Sequence, residues 1–446
     1  MRKDEMRVLL QLRSWPAARS TAWARVPDFV LSALADAPPL PLTIDPTYPP
    51  VPLPSSRAEG AHDLLDQQFD FAVQGEDLTY LLRGSIPDSD AGIEVANSLR
   101  EDRKVVGVFV DPIIEPCVIC PGDPAIGSDK NVAALLHVPQ LHANGMDGHG
   151  AHVAVVDTGV NLSYLWSRGR PHRLTSSRSW TPRGVTSTPG NHPIDHGTMC
   201  AYSVGIAAPR AQLLDHAVLL SQRSGPTGMA GLLSDAISSY SNLLQTFLKR
   251  SPTRRTLVVT NSWGMYSPSW DFPLGTLGNY SDNLNHPFNI IVETLENAGV
   301  DIVFAAGNCG RDCPDTRCNF GSSPPICGAN SHPSVVCVAG VDTTNMRVGY
   351  SSQGPGRLHK EKPDIAAYTH FDGSGVYPVD AGTSVACPVV AGVVAAIRSV
   401  HPPSKLPPVM LRDLLKTTAN TGGNSGFNVD YGWGIINVQS LLGALP

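Results

Sequence analysis

The chain has 446 residues, which is too long for a small disulfide-stapled scaffold and allows a large core with an appended module. Its formal net charge is −6 and only 16% of its residues are charged, so no strong positive field favours nucleic-acid binding. The hydrophobic content of 42% argues against disorder, and the main body is predicted to be globular.

The cysteines and the apolar segments bear on location. Nine cysteines is an odd number, which favours a reducing compartment over a secreted disulfide framework. The opening MRKDEMRVLLQLRSW lacks the apolar core and the cleavage site of a signal peptide. The most apolar stretch, Ser384 to Ile397, is too short to cross a bilayer. We therefore predict a cytoplasmic protein without a membrane-spanning segment.

Three segments precede the main body. Residues 1–36 have loosely helical patterning, which predicts a helical N-terminal segment. Residues 37–60 are predicted to form a linker, because eight prolines lie between Ala37 and Ser55. Residues 61–122 contain a strand-like, a helix-like and a second strand-like run (LTYLLRGSI, DAGIEVANSLRED, VVGVFVDPII). This third segment is predicted to be a small α+β module.

Residues 123–446 alternate short apolar runs with helical patterns. Examples of this alternation are HVAVVD, MAGLLSDAISSYSNLLQTFLKR, TLVVTNSW, FNIIVETLENAG, VDIVFAAGN and SVVCVAGV. Such alternation is typical of an α/β fold with a doubly wound, mainly parallel sheet flanked by helices.

Three polar residues stand where this fold places ligands, beyond the carboxyl ends of strands and at helix starts. Asp157 ends the strand pattern HVAVVD, His196 begins the helical pattern HGTMCAYSVGIA, and Ser384 lies in the first turn of an apolar helix. A serine becomes a nucleophile when an imidazole takes its proton and a carboxylate orients that imidazole. Taken singly, each residue also fits an ordinary turn, loop or helix cap.

The order Asp157, His196, Ser384 and the segments around these residues resemble the subtilisin-like serine protease family, peptidase family S8. The matching segments are VAVVDTGV, HGT and AGTSVACP, and FAAGN places Asn308 where the family has its oxyanion-hole asparagine. The resemblance covers about residues 131 to 442. It implies the family's α/β fold and a serine endopeptidase activity on proteins or peptides.

The resemblance also implies a role for each residue. Ser384 would attack the scissile carbonyl, His196 would act as base and then as acid, and Asp157 would orient His196. The side chain of Asn308 and the Ser384 N–H would hold the oxyanion. Two segments would flank the substrate, namely Ser262, Trp263, Gly264 and Ala305, Ala306, Gly307. The side chain of Trp263 fits a core position equally well.

Two other functions are compatible with the same residues. A peptide-maturation enzyme, either a leader peptidase or a macrocyclase, would form the same acyl-enzyme, and a macrocyclase would resolve it with a peptide amine. A non-catalytic protein on this fold would only bind peptides. The resemblance requires no cofactor and no catalytic metal, and calcium is suggested by the resemblance alone.

The sequence departs from the family pattern in several places. Met199 stands where many members have a second histidine, and Cys387-Pro388-Val389 replaces the usual Thr/Ser-Pro-His. The segment KPDIAAYTH lacks the family's Pro-Gly after the alanine. A cysteine-rich insertion follows Asn308, so no preference for the residue before the scissile bond is predicted.

The insertion contains CGRDCPDTRC, which supplies Cys309, Cys313 and Cys318, and Cys327 and Cys337 follow it. Free thiols, one local disulfide and a metal site all remain compatible with this irregular spacing. A separate pair, Cys117 and Cys120, lacks a thioredoxin-like context and is interpreted as a loop pair.

Residues 77–115 resemble part of a subtilisin propeptide by their strand–helix–strand pattern. A propeptide packs on the catalytic domain and leaves its tail in the active site, so the N-terminal region is a candidate intramolecular inhibitor. Cleavage is then expected between Pro116 and Asp129. A permanent accessory module that is never removed fits the same pattern.

Overall fold

The computed structural model describes residues 5–13, 42–54, 78–117, 123–222, 228–251, 255–321, 323–423 and 426–446. The strands are β1 (Glu5–Arg13), β2 (Thr43–Ile44), β3 (Val51–Pro54), β4 (Leu78–Pro87), β5 (Val105–Val110), β6 (Ile113–Pro116), β7 (His152–Val156), β8 (Arg173–Leu174), β9 (Gln212–His216), β10 (Gly231–Leu232), β11 (Leu257–Asn261), β12 (Trp263–Gly264), β13 (Asp301–Ala305), β14 (Val336–Val341) and β15 (Ile365–Tyr368). The α-helices are α1 (Asp90–Arg100), α2 (Asp129–Leu135), α3 (Val138–Ala143), α4 (Leu162–Ser167), α5 (His196–Ala207), α6 (Leu233–Leu248), α7 (Pro287–Asn297), α8 (Thr383–Arg398), α9 (Pro408–Thr417) and α10 (Val438–Ala444).

The main sheet has seven parallel strands in the order β15-β14-β13-β11-β7-β9-β8. Every residue of β7, β11 and β13 is buried, because helices cover both faces of the sheet. The chain runs from β7 to the edge strand β8, returns inward to β9 and then crosses to β11 on the other side of β7. The strand order therefore reverses between β7 and β11, which is where a doubly wound sheet opens a crevice for ligands.

Two buried helices start at this crevice. Helix α5 begins at His196, and helix α8 begins at Thr383, one residue before Ser384. All residues of both helices are buried, and α8 packs against α5 and against β11, β13 and β14. The sheet and the two helices together bring the three predicted site residues to one edge.

The N-terminal module differs from the prediction at its start. The predicted helix over residues 1–36 is wrong over β1, which pairs antiparallel with β4 and with β5 in the middle of a second sheet. Val8, Leu9 and Leu10 are consecutive and all buried, so the strand shows no alternation that would distinguish it from a helix. Residues 1–4 and 14–36 lie outside the described residues.

The predicted linker over residues 37–60 also contributes strands to this sheet. Both β2 and β3 pair antiparallel with β4. Strand β3 contains two prolines, and proline is tolerated in a strand at a sheet edge, where no partner needs its missing N–H. Residues 37–41 and 55–60 lie outside the described residues. Within residues 61–122, the first predicted strand and the helix are present as β4 and α1, and the second predicted strand is divided into β5 and β6, which lie in different sheets. Residues 61–77 and 118–122 lie outside the described residues.

The N-terminal module packs against helices α6 and α7. The sheet of the module and these two helices share one hydrophobic cluster, which contains Leu9 of β1 and Phe288 of α7. A buried polar cluster accompanies this packing. Asp111 accepts hydrogen bonds from Ser234 N (2.8 Å) and Ser234 Oγ (2.7 Å) at the start of α6. Arg83 lies 3.5 Å from Asp111 Oδ2 and 2.7 Å from Asp235 Oδ1. The chain then enters β6, which leaves the module.

Strand β6 lies between β10 and β12 in a short antiparallel sheet at the carboxyl edge of the main sheet. The module thus delivers a chain segment directly to the crevice.

Among the helices that the structure describes, none has the length and apolar character needed to span a bilayer.

Candidate active site

Asp157 and His196 meet beyond the end of β7. Asp157 Oδ1 and His196 Nδ1 lie 2.8 Å apart, and both side chains are buried. Helix α5 can begin this close to the turn after β7 because residue 197 is glycine: an added Cβ would lie 2.5 Å from Gly159 O. The Asp157 carboxylate is therefore hydrogen-bonded to the Nδ1 edge of the imidazole. It also accepts a hydrogen bond from Thr158 N at 2.7 Å.

Ser384 lies in the first turn of α8 with its hydroxyl directed at another part of the chain. Ser384 Oγ donates to Cys117 O at 2.9 Å, and Ser262 O lies 3.2 Å away as a second acceptor. Within the described residues, His196 Nε2 is buried and makes no hydrogen bond. The carbonyl group next to the serine thus belongs to the residue that directly follows β6.

Asn308 follows β13 and lies against the start of α8. Its Oδ1 accepts hydrogen bonds from Thr383 N (2.9 Å) and Thr383 Oγ1 (3.0 Å). Gly307 precedes it with φ of 98°, a conformation that glycine adopts readily. Because Oδ1 is occupied by Thr383, the orientation of the amide is fixed and Nδ2 is its donor group.

The predicted substrate-flanking segment Ser262–Gly264 pairs with β6. Trp263 is opposite Pro116 and Gly264 is opposite Glu115, and Cys117 N donates to Ser262 O at 3.1 Å. The side chain of Trp263 is fully buried and packs against Phe288 and Phe304, so this residue is part of the core and its backbone lines the cleft. The cleft binds an extended chain through main-chain hydrogen bonds.

Comparison with known proteins identifies the family. A family model of the subtilase family matches residues 148–434. The chain belongs to the subtilase family. It is 29% identical to subtilisin E of Bacillus subtilis over 311 residues, or 68% of this chain and 69% of subtilisin E. It is 28% identical to the subtilisin of Bacillus pumilus over 311 residues (68% and 95% of the two chains) and 27% identical to the serine protease AprX of Bacillus subtilis over 363 residues (70% and 73%). The predicted family, fold class and enzyme class are confirmed: the protein is a subtilisin-like serine endopeptidase.

In this subtilase, Cys117 lines a small pocket between the two predicted substrate-flanking segments and the cysteine-rich insertion. Asn330, which the sequence analysis did not single out, donates through Nδ2 to Trp263 O (2.8 Å) and to Ala305 O (2.9 Å) and so joins the two flanking segments. Cys117 is only 1% exposed. The other lining residues are Gly264, Met265, Tyr266, Ala306, Gly307, Cys309, Pro325, Cys327, Asn330 and Ser352.

Cys200 contacts all three residues of the predicted triad. Its Sγ lies 3.6 Å from Asp157 Oδ2, 3.8 Å from His196 Nδ1 and 3.4 Å from Ser384 O. Burial, together with the charge of Asp157, raises the pKa of this thiol well above its usual range, so it remains protonated and can donate to the carboxylate. The sequence indicates this contact in one way: Cys200 lies four residues after His196, and residues four apart on a helix share a face.

The cysteine-rich insertion contains a disulfide between Cys309 and Cys318, which is one of the three alternatives left open by the sequence. Cys313 is also disulfide-bonded, whereas Cys327 and Cys337 are buried free thiols. Disulfides persist in oxidising compartments. The cytoplasmic location stays a prediction, which fractionation of the cells that make the protein can test.

Asp215 is a second buried carboxylate near the site, one residue before the end of β9. Its Oδ2 accepts hydrogen bonds from Gly190 N (2.8 Å) and Val160 N (3.1 Å). These bonds connect the loop that follows Asp157 to the loop that contains Gly190. Burial raises the pKa of Asp215 to about 7; the two N–H donors oppose this shift, and the nearby charge of Asp157 adds to it. Asp215 therefore changes charge near neutral pH.

In the part of the chain that the structure describes, Asp157, His196 and Cys200 form the only group of three or more Asp, Glu, His or Cys side chains whose ligand atoms lie within 4.8 Å of one another. These residues are two members of the predicted triad and their neighbour Cys200. The expectation of calcium therefore rests on family resemblance alone.

Proposed function

We propose that this endopeptidase cleaves peptide bonds through an acyl-enzyme on Ser384, with His196 as general base and acid, Asp157 as the group that orients His196, and Asn308 as an oxyanion donor. The observation that carries the proposal is the carbonyl of Cys117, whose oxygen lies 2.9 Å from Ser384 Oγ in a segment paired with the cleft as an extended chain. The hydrogen bond between Asp157 and His196 supports the assigned roles.

The chemistry follows from these positions. The Ser384 hydroxyl turns from the Cys117 carbonyl oxygen toward His196 Nε2, gives it the proton, and Oγ bonds to the carbonyl carbon. The negative charge that develops on the carbonyl oxygen is stabilised by Asn308 Nδ2 and by the Ser384 N–H. When the C–N bond breaks, His196 returns the proton to the leaving amine. A water molecule, deprotonated by His196, then releases the acyl group and regenerates the serine.

The same arrangement makes the N-terminal region an intramolecular inhibitor in the uncut chain. Strand β6 fills the cleft between β10 and β12, so no second peptide can take its place there. The bond presented to Ser384 is the one that follows Cys117, which lies within the range expected from the sequence. We infer that the chain cuts itself between Cys117 and Val118 before it acts on other substrates.

The test compares wild-type protein with the Ser384→Ala variant by intact mass, together with labelling by a fluorophosphonate that reacts with activated serines. The wild type is expected to separate into fragments ending at Cys117 and beginning at Val118, and to take up one label on Ser384. The Ser384→Ala chain should stay full length and unlabelled. Ser163→Ala, which changes an exposed serine, is the matched control and should behave as wild type.

The product masses also decide between hydrolysis and aminolysis. Hydrolysis adds one water to the sum of the two fragments, whereas transfer to a peptide amine joins the acyl fragment to that amine without water. A wild-type protein that takes up no fluorophosphonate would overturn the proposal. Cleavage at the same bond in the Ser384→Ala variant would also contradict it.

A further inference from the structure

The guanidinium of Arg317 lies beside β6, the chain segment that occupies the cleft. Arg317 belongs to the loop closed by the Cys309–Cys318 disulfide, and its Nη1 donates to Glu115 Oε2 at 2.9 Å. Glu115 lies in β6, two residues before Cys117. The two side chains are only 12% and 3% exposed, so solvent and salt screen this ion pair far less than a surface pair.

The guanidinium is fixed by groups other than Glu115. Asp315 accepts from Arg317 Nε at 2.9 Å through Oδ1 and from Nη2 at 2.7 Å through Oδ2. The guanidinium also stacks over the ring of Tyr266, with 4.0 Å between its central carbon and the ring centroid. Arg317 is thus already positioned when a peptide arrives, which lowers the entropy cost of binding a carboxylate.

The contacts of Arg317 divide into two kinds. Its Nη2 donates to Pro116 O at 2.8 Å, and Tyr266 Oη donates to the same oxygen at 3.2 Å; both contacts hold the main chain of any peptide. The contact between Nη1 and Glu115 depends on the side chain. A neutral residue in place of Glu115 would leave Nη1 without its partner in a poorly solvated position, and a lysine would bring two positive charges together.

We propose that Arg317 makes this endopeptidase selective for peptides with a carboxylate side chain two residues before the residue whose carbonyl is attacked. The inference rests on the proposed function, because it requires that substrate peptides follow the path of β6 past Ser384. Arg317 is a specificity-determining residue in this role, and it acts through binding of the peptide rather than through the reacting atoms.

The test uses quenched fluorescent peptides with the sequence Pro-Ile-Ile-Xaa-Pro-Ala-Val, in which Xaa is Glu, Gln or Lys. Alanine replaces the cysteine so that no thiol attacks the Cys309–Cys318 disulfide. The protein is used as isolated, after any self-cleavage, and rates are divided by the concentration of serines that react with the fluorophosphonate, so that molecules whose cleft is still filled by β6 do not count. We expect kcat/KM for the Glu peptide to exceed that for the Gln peptide about tenfold, as suits a partly buried charge pair, and the Lys peptide to be slowest.

Substitutions of Arg317 should change this preference. Arg317→Gln is expected to bring the Glu/Gln ratio close to one, chiefly by raising KM for the Glu peptide. Arg317→Glu should favour the Lys peptide, and Arg317→Lys should keep part of the preference because it retains charge without the fork that binds Asp315. Arg311→Gln is the matched control: it removes an exposed arginine of the same loop that bonds to Gln353, and the ratio should stay at the wild-type value.

Equal kcat/KM for the Glu and Gln peptides in the wild type would overturn the inference without reference to any variant. A wild-type preference that persists in both Arg317→Gln and Arg317→Glu would overturn it as well, since the selectivity would then come from another group. A protein that labels with the fluorophosphonate but shows no preference separates failure of this inference from failure of the proposed function. A protein that neither labels nor cleaves any peptide would contradict both the further inference and the proposed function.

Discussion

The carboxyl edge of the parallel sheet and the interface between the module and α6 both bury carboxylates, but they pair them with different partners. At the sheet edge, Asp157 faces the imidazole of His196, a group that can accept and give up a proton. At the interface, Asp111 faces Arg83 and the start of α6. An arginine stays charged at every accessible pH, so this second arrangement can hold the module in place but cannot move a proton.

This difference separates the expected effects of mutation. Changes at the sheet edge that preserve the hydrogen bonds of the fold should lower the rate and leave unfolding almost unaltered. Changes at the interface should lower the free energy of unfolding and leave the chemical step unaltered. Each prediction below can break this separation or make it quantitative.

The largest effect is expected from Asn308→Asp. The aspartate keeps an oxygen for Thr383 N but replaces the Nδ2 donor with a second oxygen, so the developing oxyanion loses one hydrogen bond and gains a repulsive neighbour. Loss of one such donor typically lowers kcat about 100- to 1000-fold, and we expect at least that decrease. The measurement is kcat and KM on the Glu peptide, with urea unfolding of the same protein. Asn319→Asp places the same charge at an exposed position nearby and serves as control; a comparable loss of kcat there would assign the effect to charge alone.

A smaller effect is expected from Asp111→Ala, measured in the Ser384→Ala background so that every chain stays full length. The change leaves Ser234 N and its hydroxyl without their acceptor and removes a charge that faces Arg83. We expect the free energy of unfolding to fall by about 2–3 kcal/mol. Asp45→Ala is the control, because Asp45 lies 3.7 Å from the same arginine but is 30% exposed, and it should cost less than about 1 kcal/mol. Equal decreases in the free energy of unfolding of the two variants would show that the buried contacts of Asp111 stabilise the protein no more than the exposed contact of Asp45.

These two regions also differ in how far the sequence predicts them. The buried parallel strands are continuous apolar runs that end in a polar residue, and this pattern predicted β7 with Asp157 after it. The module is built from pairings that are distant in sequence: β1 pairs with β4, more than sixty positions along the chain. Its run of consecutive leucines fits a helix or a strand, and the prolines of β3 are typical of a linker. Only the tertiary pairing with β4 decides these cases.

Within the site, residues differ in the same way. Ser384 and Asn308 stand in motifs that the sequence displays, and the structure places them against one another through Thr383. Arg317 has no local signal, because its position depends on the loop that the Cys309–Cys318 disulfide closes. Asp215 lies one residue before the end of β9 and has no motif around it, and the groups that donate to it come from distant loops.

Asp215 tests whether the sheet edge responds to pH through stability as well as through rate. Its native pKa of about 7 lies above the ordinary value of 3.8, so between about pH 4 and pH 7 the native state binds more protons than the unfolded chain. Its contribution to the free energy of unfolding therefore falls as pH rises through this window. Nearby His192, whose pKa burial lowers to about 4, contributes with the opposite sign, because its unfolded form takes up a proton first as pH falls.

The difference between wild type and Asp215→Asn reports the carboxyl group together with the change that its loss makes at His192, whose Nε2 lies 3.6 Å from Asp215 Oδ2; the more distant titrating groups are common to both proteins. The amide can still accept from Gly190 N and Val160 N. We expect the variant to gain stability relative to wild type as pH rises from 4 to 7, by at most about 1.4 kcal/mol per pH unit, and no further above that window. Urea unfolding at half-unit pH steps, in the Ser384→Ala background, measures this difference. A difference that does not vary with pH would mean that Asp215 is ionised throughout, and its contact with the loops beside Asp157 would then be that of a permanently charged acceptor.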